Sequence, residues 1–332
     1  MKLRILAAVA VAMAVLGVPG QVAVADPGQA TGHDRGHDHA QSRGDAIRYA
    51  SAQGCPQKDG TAVPCGTWRL VSHKGEVTPL KDAQLRALGA DGKPVDYAVA
   101  PVAVSGDGTR VAYFTKAGHL AVRTVKGGVR VLPKDALPPR TSQYDVTLQL
   151  SDDGARLAVV AGRAQVFDTA TGARLGTLPR NSVFVGFSGD GEKVLATMDG
   201  AESVLEMHVY DPAGRRLLSD TPPQLVSANG PHALHADGRT IAVLVGGTKV
   251  KLYDLADGQV VGGHAIKLPK EGTVHKLDWT GDNQVTLHVS QYPTGKATRM
   301  TVLQHDVTSG ATRVRDSYSM LKDTFVFAAC GG

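Results

Sequence analysis

The sequence has little that would tie it to a membrane, to nucleic acid or to a dense disulfide scaffold. Aromatic residues make up 5% of the 332 residues, and the only cysteines are Cys55, Cys65 and Cys330. After residue 18, no apolar run approaches the roughly 20 residues that a membrane-spanning helix needs. No basic run is interleaved with aromatic residues, which argues against nucleic acid as a partner. The remaining composition, with a formal net charge of +5, is that of a globular protein.

The N-terminal residues are typical of an export signal. Lys2 and Arg4 precede an unbroken apolar or glycine run over residues 5–18, and Ala23 and Ala25 supply the small residues that a signal peptidase recognises. We therefore predict a signal peptide over residues 1–25, cleavage before Asp26, and a secreted, extracellular monomer that does not contact the membrane afterwards. Three cysteines in an exported chain allow one disulfide and leave one thiol over.

Residues 26–62 are predicted to be a disordered leader, because they are rich in His, Asp and Gly and lack apolar periodicity. Within the leader, a cluster could hold a divalent metal such as zinc, copper or nickel. Its members are His33, Asp34, His37, Asp38 and His39. The alternative is a solvated tail whose histidines bind nothing in particular. No other cofactor is predicted. Residues 81–92, rich in alanine, form the one stretch predicted to be helical.

From residue 101 onward the sequence repeats. Five copies of an apolar run, a turn and a second apolar run carry an aspartate in the turn, and in four copies a glycine follows it. The aspartates are Asp107, Asp153, Asp190, Asp237 and Asp282, at spacings of 46, 37, 47 and 45 residues. An Asp-Gly pair between two alternating apolar runs is a strong hairpin signal, because glycine supplies the positive φ of a tight turn.

A second series of aspartates lies between these turns. Four apolar runs end in an aromatic residue or histidine followed by an aspartate, and a glycine comes three or four positions later. These residues are Asp168, Asp211, Asp254 and Asp306. A carboxylate in such a position can accept hydrogen bonds from backbone N–H groups and fix the turn. The repeated unit is therefore four strands long, which at this period indicates a propeller blade.

The turn pattern S-x-D-G followed by an aromatic-D-x-x-x-G pattern resembles the WD40-like and TolB-like (PD40-type) β-propeller repeats of secreted bacterial proteins. The resemblance covers residues 67–332 and implies an all-β propeller of four-stranded antiparallel blades. TolB proteins also carry an α/β domain before the propeller, and residues 26–66 are too few and too polar for one. The resemblance therefore does not imply a role in the TolB translocation system.

Repeats that start near residues 101, 146, 183, 231 and 273 give five blades. Residues 66–80 match strands three and four of a blade, and residues 317–330 match strands one and two, with Asp323 in the turn. We therefore predict a six-bladed propeller over residues 63–332, closed by a composite blade of two C-terminal and two N-terminal strands. Cys65 and Cys330 would meet at this seam, so a Cys65–Cys330 disulfide is expected. A local Cys55–Cys65 bridge is the alternative.

No catalytic motif is present: there is no G-x-S-x-G elbow, no H-E-x-x-H and no phosphate-binding loop. The loops after strands two and four vary between repeats and are the expected binding surface. Candidate ligand-binding residues in them are Arg140, Tyr144, Arg180, Asn181, Asn229, His232, Lys270, His275 and Tyr292. The sequence thus favours a non-catalytic binding or scaffold module for a protein or small ligand. The alternative is a propeller-type hydrolase, lactonase or lyase whose site is assembled from several blades.

Overall fold

A computed structural model describes residues 43–331. These residues form six four-stranded antiparallel sheets that are arranged as the blades of a closed propeller, together with one two-stranded hairpin. The six-bladed fold and its composite blade, both predicted from the repeats, are confirmed. Among the described residues, no helix is long and apolar enough to cross a membrane.

Blade I is the composite blade. From the central channel outward, its strands are β26 (Thr324–Ala329), β1 (Ile47–Pro56), β2 (Ala62–Ser72) and β3 (Val77–Pro79). A hairpin of β4 (Arg86–Leu88) and β5 (Pro94–Val99) follows it.

The other five blades follow in chain order, and each runs from the channel to the rim. Blade II is β6 (Val102–Val104), β7 (Arg110–Phe114), β8 (Leu120–Thr124) and β9 (Val129–Val131). Blade III is β10 (Thr147–Leu150), β11 (Arg156–Ala161), β12 (Arg163–Asp168) and β13 (Arg174–Thr177). Blade IV is β14 (Val183–Phe187), β15 (Val194–Asp199), β16 (Leu205–Tyr210) and β17 (Arg216–Asp220). Blade V is β18 (His232–Leu234), β19 (Thr240–Val245), β20 (Lys249–Asp254) and β21 (Gln259–Ala265). Blade VI is β22 (Thr273–Gly281), β23 (Gln284–Gln291), β24 (Arg299–Asp306) and β25 (Thr312–Ser319).

Within residues 43–331, helical structure is confined to single turns in the connections. These are one α-helical turn, α1 (Gln224–Ser227), and four 3₁₀ turns, at Arg43–Asp45, Lys134–Ala136, Gln143–Asp145 and Ala201–Ser203. The helix predicted over residues 81–92 is wrong. Asp91 and Gly92 instead form the turn of the β4–β5 hairpin, where the Asp91 carboxylate accepts the Lys93 N–H at 3.0 Å and Gly92 has a φ of 76°. A left-handed glycine beside an Asx turn outweighs the helix propensity of the alanines.

The ring closes with one C-terminal strand and three N-terminal strands, where two and two were predicted. Residues 312–319 pair with β24 as the outer strand of blade VI, so Asp323 lies in the loop before β26 and not in a hairpin turn. The place left in blade I is filled by β1, which lies inside the predicted leader and moves the start of the propeller to residue 47. The sequence does not predict this strand, because its serine, glutamine and glycine have low strand propensity or are polar. Its residues Tyr49, Ala50 and Ala52 are nevertheless buried.

The disulfide joins Cys55 to Cys65, with 5.8 Å between the Cα atoms, and the expected Cys65–Cys330 bridge is wrong. Strand β1 lies between the two strands that were expected to be neighbours. Cys65 pairs with Gln53, which pairs with Thr324, so Cys65 lies at the far end of β26 from Cys330. Six residues of extended strand put these cysteines about 20 Å apart. Cys330 is a free thiol.

The repeated aspartates hold the turns on one face of the ring. In the turn after the inner strand, the Asp107 carboxylate accepts hydrogen bonds from the Thr109 N–H at 2.9 Å and from the Ser105 hydroxyl. Asp153 and Asp190 make equivalent contacts, and Asp237, which has His235 in place of the serine, accepts the N–H groups of Arg239 and Thr240. In the second series the carboxylates accept backbone N–H groups two to four residues ahead. These are Asp168, Asp211, Asp254 and Asp306. Asp282 forms a two-residue turn with Asn283 between β22 and β23. We call this side the turn face and the opposite side the loop face.

Candidate functional site

Two cavities follow one another along the central channel. The upper cavity, of about 350 Å³, is lined by the inner strands of blades II to VI. It opens at the loop face, because Thr147 and His232, the first residues of β10 and β18, line it. The lower cavity, of about 200 Å³, lies at the turn face between blades VI and I, where Asp107 and Cys330 line it. Asp278 lines both cavities and therefore marks the waist of the channel.

Two of the nine predicted ligand-binding residues, His232 and His275, line the upper cavity. The His232 Nε2 atom lies 3.0 Å from the carbonyl oxygen of Val226, and burial lowers the pKa of this imidazole. Partial burial and the neighbouring charge of Lys276 lower the pKa of His275 as well. Both side chains are therefore neutral at neutral pH and can offer a ring nitrogen as an acceptor.

The other seven predicted residues lie outside both cavities. Asn229 has a structural role, since its amide nitrogen donates to the Leu225 carbonyl and its amide oxygen accepts the Gly246 N–H. The remaining six are exposed on the loop face, and two of them have a left-handed backbone. They are Arg140 (φ 59°), Tyr144, Arg180, Asn181 (φ 67°), Lys270 and Tyr292. The leader residues His33, Asp34, His37, Asp38 and His39 lie outside the described residues.

The waist carries charged residues that the sequence reading missed. Lys276 and Asp278 are the only Lys, Arg, Asp or Glu residues on the six inner strands. Alternate residues of a strand point to opposite faces. Lys276 and Asp278 therefore lie on one face of β22, and Leu277 and Trp279 lie on the opposite, apolar face. The Lys276 Nζ atom lies 3.3 Å from one oxygen of Asp278, and the His288 Nε2 atom lies 3.6 Å from the other. The available signal was a charged pair at i and i+2 in a strand that should line the channel.

Burial changes the protonation chemistry of the waist. It raises the pKa of Asp278 to about 6, against the opposing effect of Lys276, and Asp152 raises it further. Burial also lowers the pKa of His288 well below its usual value. Asp152, on the turn between β10 and β11, is accessible from the lower cavity, yet the protein around it raises the pKa of its carboxyl through desolvation. A carboxyl that titrates near pH 6 beside a neutral imidazole can accept or release a proton under physiological conditions.

A second charged cluster holds the seam between blades VI and I. Arg48 Nε lies 3.0 Å from a carboxylate oxygen of Asp316, and His73 Nδ1 lies 3.5 Å from the same oxygen. The Arg48 guanidinium also lies over the ring of Tyr318, 4.8 Å from its centroid, and Tyr318 stacks on Tyr49. Although burial opposes the shift, the hydrogen bond from His73 and the charge of Arg48 lower the pKa of Asp316. This cluster joins the strands at which the ring closes.

Cys330 borders the lower cavity at the end of β26. Burial raises the pKa of its thiol to about 11, so it is protonated at neutral pH and is a poor nucleophile. Among residues 43–331, no group of three or more His, Cys, Asp or Glu side chains is arranged to hold a metal ion.

No protein-family model matches the chain, and no curated protein matches it either. Among solved structures, a structure named for TolB from Agrobacterium tumefaciens is similar at 14% identity and a TM-score of 0.43, over 82% of this chain and 90% of that chain. TolB from Acinetobacter baumannii is similar at 16% identity and a TM-score of 0.44, over 85% of this chain and 66% of that chain. Both structures are named for TolB. The similarity concerns the fold.

Proposed function

We propose that the protein is an exported, non-catalytic binding module that takes a small ligand into the upper cavity through the loop face. The observation that carries the proposal is the composition of this cavity. Val185 and Phe187 provide an apolar wall, while His232, Lys276 and Asp278 are polar groups on neighbouring inner strands. Ligand sites typically combine a mostly apolar concave surface with a few polar groups that fix orientation.

Export is supported by two independent features. The signal-like residues 1–25 precede the propeller, and a disulfide joins Cys55 to Cys65 in the hairpin of β1 and β2. Disulfides form and persist mainly in oxidising compartments, so the bridge fits an exported chain better than a cytosolic one.

Gly186 offers a direct test, because it lines the upper cavity and its backbone accepts a side chain. A Cβ atom built there would meet only the Gln149 Nε2 atom, at 3.5 Å. We expect Gly186→Leu to fill part of the cavity without unfolding the blade. Gly262→Leu is the matched control, since a Cβ there has nothing within 4 Å and the residue lies on the outer strand of blade V.

The measurement is a thermal-shift screen of amino acids, small carboxylates, amines, sugars and short peptides. Compounds that stabilise the wild-type protein and the Gly262→Leu variant, but not Gly186→Leu, support a ligand site in the upper cavity. Compounds that stabilise all three proteins equally would place binding elsewhere, and a screen without stabilising compounds would count against a small-molecule binding module.

A hydrolase, lactonase or lyase is the second candidate, and the Asp278–His288 pair favours it. A carboxyl of raised pKa at a distance of 3.6 Å from an imidazole is a suitable general acid or base. Each stabilising compound should therefore be incubated with wild-type protein and with Asp278→Asn. Conversion by the wild-type protein that Asp278→Asn abolishes would replace the binding proposal with an enzymatic one.

A further inference from the structure

Blade VI has an arginine at a position where blades III, IV and V have an aliphatic residue. In the pairing of β24 with β25, Val302 faces Asp316 and Leu303 faces Val314, so Arg315 is the extra residue of a bulge. Blades III, IV and V have the same bulge, at Leu175, Leu217 and Val261, and these side chains are exposed. Bulges re-aim side chains and are frequent beside functional sites.

The Arg315 side chain lines the lower cavity. Its Nη1 atom donates to the Thr286 hydroxyl at 3.4 Å, two strands inward. Within residues 43–331, no carboxylate lies in ion-pairing distance of this guanidinium, since the adjacent Asp316 is bound by Arg48 and His73. An arginine remains charged at every physiological pH, and a partly buried charge usually has a counter-ion. Arg315 is therefore a cation on the cavity wall that no carboxylate of the described residues contacts directly.

Neutral donors lie beside Arg315 in the same cavity. The hydroxyls of Thr280 and Thr286 are 2.8 Å apart, and either can turn its proton toward a ligand. His288 also borders this cavity, but its Nδ1 atom is fully buried and does not face a ligand. The guanidinium and the two hydroxyls form a donor set suited to an oxyanion.

Carboxylates oppose an anion at this position, and they are not all equivalent. Asp316 is paired with the Arg48 guanidinium, whereas Asp107 is held in its turn by the neutral donors of Ser105 and Thr109 and keeps its charge. The two that remain are Asp152 and Asp278, and the pKa of each is raised by burial. The other titratable or charged groups that face the waist are His275, Lys276, His288, Arg315, His73 and Cys330.

Protonation of the two free carboxyls reverses the field in the cavity. When both are ionised, their charges offset those of Lys276 and Arg315, the Asp107 carboxylate adds one more negative charge, and an anion is repelled. When both are neutral, two cations oppose Asp107 alone, and Lys276 is released from its ion pair with Asp278. A net charge of about −1 thus becomes about +1, in surroundings where water screens charge less than in bulk solvent.

We propose that the lower cavity is an acid-dependent binding site for a small oxyanion, such as sulfate or an organic carboxylate, held by Arg315 with Thr280 and Thr286. Lys276 contributes to the field, and Asp152 and Asp278 exclude the anion until they are protonated. The anion would lie in the lower cavity, which shares Asp278 with the upper cavity.

Isothermal titration with sodium sulfate tests the proposal, because sulfate keeps the same charge across the range used. We expect the wild-type protein to bind sulfate about tenfold more tightly near pH 5 than near pH 7.5. Arg315→Met should abolish binding. Arg313→Met is the matched control, since Arg313 lies two residues earlier on β25, is exposed, and bonds only Gln304. It should bind sulfate like the wild-type protein.

Asp278→Asn provides a gain of binding that misfolding cannot imitate. The variant should bind sulfate near pH 7.5 more tightly than the wild-type protein does, and its dependence on pH should be reduced to the contribution of Asp152. Should Arg315→Met fail to fold, Arg315→Lys, which keeps the charge but loses the planar fork, should bind more weakly than wild type. Affinity that does not change with pH, equal binding by Arg315→Met and Arg313→Met, or no binding at either pH would overturn the proposal.

Discussion

The two faces of blade VI differ in kind, although the same strands build both. The face toward blade V is apolar: Leu277, Trp279, Val285 and Leu287 belong to one buried cluster with residues of blade V. The face toward blade I, built by the alternate residues, carries Asp278, Thr286, His288 and Asp316 and encloses the lower cavity. Alternation along a strand allows one blade to present a hydrophobic interface on one side and a polar one on the other.

The apolar face of blade VI contributes mainly to stability, whereas its polar face carries the titratable groups. Apolar burial stabilises an interface without regard to pH, whereas buried carboxylates and imidazoles make an interface depend on protons. In this ring the polar interface lies between blade VI and blade I, the blade in which the N- and C-terminal strands pair. The same interface also holds an apolar cluster that includes Tyr49, Met300 and Tyr318, beside the buried serines Ser51 and Ser290.

The largest effect is expected from the apolar face. Leu287→Ala removes a fully buried side chain from the cluster between blades V and VI and should lower the free energy of unfolding by about 3 kcal/mol. Leu217→Ala, at a position 43% exposed, should change it by less than about 0.5 kcal/mol. Urea titration at neutral pH measures both. Equal losses of unfolding free energy in the two variants would contradict tight packing at the interface between blades V and VI.

The polar face should produce a stability that depends on pH through Asp278. The pKa of this carboxyl is about 6 in the folded protein, against an ordinary value of 3.8. The folded state therefore holds the proton more tightly, and stability from this group falls as pH rises from 4 through 6. The complete fall is about 3 kcal/mol and is reached above the folded pKa.

Asp278→Asn cannot titrate, so its stability relative to wild type should increase between pH 4 and pH 7. Urea titrations of both proteins at intervals of pH give the difference. Asp96→Asn is the matched control, because it removes a carboxylate from the exposed β4–β5 hairpin, where the Asp96 side chain is 79% accessible. That control should leave the slope unchanged. A difference that stays constant with pH would contradict the raised pKa.

At the seam, Asp316 should behave in the opposite sense. Its pKa is lowered in the folded state, so its contribution is present above the ordinary value near 3.8 and is lost as pH falls through the folded pKa. Asp316→Asn should cost about 1–2 kcal/mol at neutral pH, between the values for exposed and buried ion pairs. Asp257→Asn, which removes an exposed partner of Arg239, should have no measurable effect. A loss at Asp316 that persists unchanged at acidic pH would argue for packing and not charge.

How much of this was accessible from the sequence depends on whether the information is local. The Asp-Gly turns recur in the chain, so the blade count and the inner-strand starts at residues 102, 147, 183, 232 and 273 lie within one residue of prediction. Strand β1 was missed because its serines and glutamine interrupt the alternation of apolar and polar residues that marks a strand, and its place in the sheet depends on pairing with the distant β26. Lys276 and Asp278 could be recognised in the sequence as charges on an inner strand. The position of the Arg315 side chain could not, because it depends on a bulge in the register of β24 and β25.

The smallest effect concerns Cys330, and it tests whether the polar seam is closed without a covalent bond. A disulfide to Cys65 would close a long loop and would be worth about 4 to 5 kcal/mol by chain entropy. In the structure Cys330 is a half-buried free thiol that lines the lower cavity, so Cys330→Ala should cost only about 1 kcal/mol, as for a small, partly buried side chain. Thiol labelling offers an independent readout, because Cys330, whose thiol is protonated at neutral pH, should react with Ellman's reagent slowly in the folded protein and rapidly after denaturant is added. One thiol per unfolded chain is expected without reductant. A loss of several kcal/mol, or no reactive thiol in denaturant, would mean that the seam is covalently closed and that the polar interface does not hold the ring on its own.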